Sequence, residues 1–83
     1  MAEPTPGHEA LRLGATIRAL REANGLKVVE LATAIGVSRP YLANIERGNK
    51  KATPGICRKV ANLFGVPLAA ITVEGYDRIR ESA

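Results

Sequence analysis

Apolar residues recur along the chain in short stripes of helical period, separated by glycines. Leu13, Ile17 and Leu20 follow one another at spacings of four and three, which predicts an amphipathic first helix from about Glu9. Asn24 and Gly25 end it, since both tolerate the left-handed backbone of a helix C-terminus. Leu31, Ala32 and Ile35 mark one side of a second helix over 28–35, and Gly36 stops it. Ser38 stands where its hydroxyl can cap a third helix over 39–47. Pro40 falls in the first turn of that helix, where a missing N–H costs nothing, and Gly48 closes it. Thr53 followed by Pro54 starts a fourth helix, with Cys57, Val60, Ala61 and Phe64 inward and Gly65 at its end. A short fifth helix is expected over 67–71. The pattern predicts an all-α fold of five short helices. Residues 1–7 read as a loose N-terminal tail, 8–73 as the domain, and 74–83 as a short C-terminal tail.

A chain of 83 residues has room for one small domain. No apolar run approaches the roughly 18 residues of a membrane span, and no signal-peptide pattern opens the chain, so a cytoplasmic setting without membrane contact is expected. The single cysteine, Cys57, excludes an internal disulfide, and on the apolar face of its helix it reads as a small hydrophobe. The single histidine, His8, reads as part of the N-terminal tail, and acidic residues are scattered. No Cys–His pair, metal cluster or catalytic set follows from these residues. Neither cofactor, metal, small-molecule substrate nor enzymatic activity is expected.

Charge changes the picture once it is divided along the chain. The overall excess is +4. Residues 27–59 carry Lys27, Arg39, Arg47, Lys50, Lys51, Arg58 and Lys59 against Glu30 and Glu46, a balance of +5, while the flanks balance to 0 and −1. A localised basic excess suits a polyanion, because phosphate neutralisation supplies most non-specific affinity for nucleic acid. Arg58 and Lys59 suit either phosphate binding or plain solvation, and solvation is the expected reading.

The informative stretch is VVELATAIGVSRPYLANIER, residues 28–47. Leu31 and Ile35 lie one turn apart, and Ala32 is small enough for another helix to cross close above it. Gly36 permits a tight turn at positive φ, and Val37, Leu42 and Ile45 return the chain to the same core. Two short helices joined in this way are what a helix-turn-helix needs. Together with the opening LGATIRALREANGL, the IERG after it and the later KVANLFGV, this stretch resembles the phage Cro and repressor type of helix-turn-helix proteins, the XRE family. The resemblance runs from about Leu13 to Ile71. It implies that the third helix enters the major groove of double-stranded DNA, and that Arg21 and Glu46 form a salt bridge between the first and third helices. It also implies a homodimer on a roughly palindromic site, with half-sites about 34 Å apart. Three positions depart from the family pattern. Val28 replaces a phosphate-touching glutamine, Lys27 replaces a hydroxyl cap and adds a positive charge, and Pro40 replaces a polar base reader.

Geometry divides the remaining residues of this region. With Leu42 and Ile45 inward, the opposite face of the third helix carries Pro40, Ala43, Asn44 and Arg47, with Arg39 at the side. Asn pairs bidentately with adenine and Arg with guanine, so Asn44 and Arg39 are the expected base readers, while Pro40 and Ala43 offer apolar contact. Lys27, Ser38, Tyr41, Arg47, Asn49, Lys50 and Lys51 surround that face and suit phosphates. Val66, Leu68, Ile71, Val73 and Tyr76 form more apolar surface than one terminal helix can bury and are expected at a dimer interface. The expected function is that of a small phage-type or prokaryotic repressor. The alternative is an antitoxin that binds its own promoter and neutralises a partner protein.

Overall fold

The computed structural model describes residues 7–73, which form five helices: α1 (Gly7–Ala23), α2 (Val28–Ile35), α3 (Arg39–Glu46), α4 (Pro54–Phe64) and α5 (Ala69–Thr72). The expected contact at Tyr76 and the segment 74–83 lie outside the described residues. The first helix begins at Gly7, inside the stretch expected to be a tail. The fifth begins two residues later than expected. Leu68 is already helical in backbone but acts as the cap, its carbonyl accepting from Thr72 N–H at 3.0 Å. Pro67 ahead of it brings no N–H and biases Val66 away from helical dihedrals.

Local signals fix the helix ends. Gly36 has φ +76°, and the Val37 N–H returns to the Ala32 carbonyl at 2.9 Å, closing the turn between α2 and α3. The Ser38 hydroxyl accepts from Tyr41 N–H, and the Thr53 hydroxyl from Ile56 N–H, each at 3.2 Å. A cap of this kind contributes typically about 1 kcal/mol. Lys27 has no side-chain acceptor to offer α2. Glu30 compensates by reaching back one turn to accept from the Lys27 backbone N–H at 2.7 Å.

The stripes meet in one core: Leu13 and Ile17 of α1, Leu31 and Ile35 of α2, Leu42 and Ile45 of α3, Val60 of α4 and Ile71 of α5 are all buried. Helix α1 packs on α3 and α5, α2 packs on α3 and α4, and α4 packs on α5. Phe64, expected inward, is half-buried at the edge of this core. Cys57 is 1% exposed, and burial pushes its thiol above the ordinary range.

Two features of α1 set the position of its neighbours. A Cβ on Gly14 would clash with the Ile45 carbonyl oxygen and stand 2.9 Å from that of Glu46, so α3 crosses directly on the bare backbone of α1. Arg12 donates through Nη1 to the Ile71 carbonyl at 3.2 Å and through Nη2 to the Thr72 carbonyl at 3.1 Å. These are carbonyls at the C-terminal end of α5, where a cation is favoured. Ile71 itself is fully buried within the monomer. It therefore belongs to the core and not to a dimer surface, because α4 and α1 already cover it.

Candidate nucleic-acid interface

The α2–turn–α3 unit presents one face of α3 outward. Leu42 and Ile45 are fully buried and set the inward direction; Pro40 and Arg47 are exposed on the far side, with Ala43 and Asn44 half-buried between them. Arg39 is exposed in the first turn, beside the cap residue Ser38. Tyr41 lies against the core by part of its ring, so it stands at the flank of this face. Val28, at the glutamine position of the resemblance, likewise packs on the core.

The orientation of α3 is held by an ion pair with α1. Arg21 donates from Nε to Glu46 Oε2 at 2.8 Å and from Nη2 to Oε1 at 2.9 Å, while Nη1 bonds the Leu26 carbonyl at 2.8 Å. The two side chains are only 11% and 5% exposed. The bidentate bond to Glu46 raises the Arg21 pKa further above its ordinary value, against the opposing effect of burial. Glu46, the carboxylate of α3, is thereby neutralised and turned away from the open face.

The other expected contacts divide by what already holds them. Lys27 and Lys50 are exposed, on the two sides of α3 in sequence. Lys51 is exposed too, but its ammonium lies 2.9 Å from Glu9 Oε1, and this contact holds the Glu9 carboxyl below its ordinary range. Arg47 donates from Nη2 to Asn44 Oδ1 at 2.8 Å, and Asn49 Nδ2 approaches the same oxygen at 3.4 Å. The loop after α3 is secured by Asn49 and Lys50 N–H groups bonding the Asn44 carbonyl at 2.9 and 3.3 Å. Lys59 is exposed and also donates to the Ile35 carbonyl at 3.4 Å, at the end of α2.

Three positions that orient the site make contacts absent from the sequence-based expectations: Gly14, Arg12 and Lys59. Gly14 did leave a trace, since a glycine inside a helix costs about 1 kcal/mol relative to alanine and calls for a packing reason. The two cations left none, because their partners are backbone carbonyls far away in the chain. Among the described residues no group of His, Cys, Asp and Glu is placed to hold a metal ion, and no helix is long and apolar enough to cross a membrane.

A crossing of α1 on α3, the glycine turn and an outward polar face on α3 define a helix-turn-helix domain. The helix-turn-helix family model of XRE type matches residues 17–71, and the chain belongs to that family. The chain is 44% identical over 54 residues to an uncharacterized HTH-type transcriptional regulator of Mycobacterium tuberculosis, a match spanning 65% of this chain and 21% of that protein. It is 34% identical over 64 residues to the immunity repressor of Bacillus phage phi105, across 77% of this chain and 44% of the repressor. The chain thus spans about a fifth of the mycobacterial relative and less than half of the phage one. Among solved structures, the clp gene regulator ClgR of C. glutamicum superposes with a TM-score of 0.72 at 31% identity, covering 93% of this chain and 96% of that one.

Proposed function

We propose that this protein is a sequence-specific DNA-binding transcriptional regulator, most simply a repressor that occupies an operator as a homodimer. The observation that carries this reading is the outward face of α3, bounded by the cations Lys27, Arg39, Arg47 and Lys50 and locked to α1 from behind by Arg21 and Glu46. A rigid helix with a polar face and flanking positive charge is what major-groove docking requires. The helix-turn-helix relatives, an immunity repressor among them, support the same reading. Arg39 and Asn44 read base edges, with Pro40 and Ala43 in apolar contact beside them. Lys27, Ser38, Tyr41, Arg47, Asn49, Lys50 and Lys51 line the path of the phosphates. No cofactor, metal or catalytic step enters this mechanism, and the protein works in the cytoplasm on DNA.

The homodimer forms through the surface around α5. Leu68 and Val73 remain 39% and 40% exposed in the monomer, and Val66 is half-buried beside them in sequence. A two-fold axis there would set two copies of α3 in successive major grooves, about 34 Å apart. Selection of bound sequences from a random duplex pool tests the proposal, with an inverted repeat as the expected result. Failure to enrich any duplex overturns it.

A further inference from the structure

The donors and acceptors on the open face of α3 are not evenly mixed, and the imbalance bears on which base pair the face accepts. Glu46 is the acidic residue of this helix, and both its oxygens are taken by Arg21. The Ser38 hydroxyl oxygen is taken as acceptor by the Tyr41 N–H. Asn44 would ordinarily offer one acceptor and two donors, the combination that suits the N7 and N6 amino group of adenine. Its Oδ1, however, accepts a charge-assisted bond from Arg47 Nη2 at 2.8 Å and a longer one from Asn49 Nδ2 at 3.4 Å. What Asn44 has left for a ligand is its Nδ2 amino group, with the Arg47 guanidinium held next to it.

We propose that Asn44, fixed by Arg47 and Asn49, is a donor-only reader that selects guanine over adenine. This rests on the reading of α3 as the helix in the major groove. Guanine presents two neighbouring acceptors, N7 and O6, to that groove, and either can receive a bond from the Asn44 amide N–H groups. Adenine presents its N6 amino group in place of O6, which would set a donor against the donors of the Asn44 amide. Arg47 and Asn49 are positioning residues here: they set the base identity by occupying an oxygen, whatever further contact they make with the backbone.

The test uses the full chain and the duplex it selects from a random pool. Asn44→Ala first locates the base pair whose preference is lost. The four base pairs are then placed at that position and titrated by fluorescence anisotropy with wild type and with the double variant Arg47→Ala/Asn49→Ala. Both exchanged residues have exposed or loop positions, and circular dichroism checks that helicity is retained. Wild type should favour G·C over A·T by roughly five- to 150-fold. The double variant, with Oδ1 released, should bind more weakly overall and shift its preference toward A·T. A preference of wild type for A·T, a double variant that loses affinity equally for all four duplexes, or an Asn44→Ala variant that changes no position overturns the inference while DNA binding stands. A pool from which no duplex is enriched overturns the DNA-binding reading and this inference with it.

Discussion

Arg21 spends its whole guanidinium inside the protein, on two carboxylate oxygens and one carbonyl, so the loss of its partner is costly. Glu46→Ala strands a nearly buried cation, and breaking such a pair costs roughly 3 kcal/mol or more. In a domain of this size that lowers the melting temperature by on the order of 10–20 °C. Thermal unfolding followed by circular dichroism measures it; a midpoint equal to wild type would show that the link between α1 and α3 carries no stability. Cys57 gives a second prediction at this scale, from the upward shift of its thiol by burial. As pH rises through the ordinary thiol range near about 8.5, the unfolded chain loses its proton while the folded one keeps it. Stability therefore falls with rising pH there, and Cys57→Ala removes that component of the slope. Denaturant midpoints from pH 7 to 10 for both proteins test this, and identical slopes would contradict it.

The elements were legible in the sequence wherever the signal is local. Ser38 and Thr53 cap within three residues, and Gly36 and Gly65 stop their helices within one turn, so α2, α3 and α4 stand where the pattern puts them. Contacts between distant residues were not legible. Arg12 meets Ile71 across 59 positions, and Lys51 meets Glu9 across the whole of the first three helices. For that reason an apolar residue of α5 read as surface proved to be core, and the pairing of Lys51 with a carboxylate of α1 went unread. Asn44 was placed on the right face of α3, but periodicity does not report that Arg47 occupies its oxygen. Gly14 offers the sharpest test at the element scale. Alanine there gains about 1 kcal/mol in helix propensity, yet its Cβ would fall on the Ile45 carbonyl of α3. Backbone cannot yield as a side-chain tip does, and overpacking costs typically about 1–3 kcal/mol or more, so the loss outweighs the gain. Gly14→Ala should lower both stability and DNA affinity. A more stable variant with unchanged affinity would mean that the two helices do not cross at this point.

At the scale of the whole molecule, the proposed function assigns separate tasks to the basic middle and the α5 surface. Leu68 is exposed whereas Ile71 is buried, so Leu68→Lys should weaken self-association and leave the monomer folded, while Ile71→Lys should unfold it. Sedimentation equilibrium with circular dichroism distinguishes the two; a Leu68→Lys variant that associates as wild type does would remove α5 from the interface. The cations around α3 differ as well. Lys50 is exposed in the loop beyond Gly48, whereas Lys51 is already paired with Glu9.

The most direct measurement is a salt titration of binding for wild type, Arg39→Ala and Lys50→Ala, each on the selected duplex and on a scrambled one. Arg39→Ala should lose about 1–3 kcal/mol on the selected duplex alone, because it removes paired bonds to a base edge. Lys50→Ala should weaken both duplexes alike and reduce the slope of log K against log salt by about one, because it removes one phosphate contact. Equal losses on both duplexes for Arg39→Ala, with a change of sequence preference for Lys50→Ala, would contradict the placement of α3 in the groove.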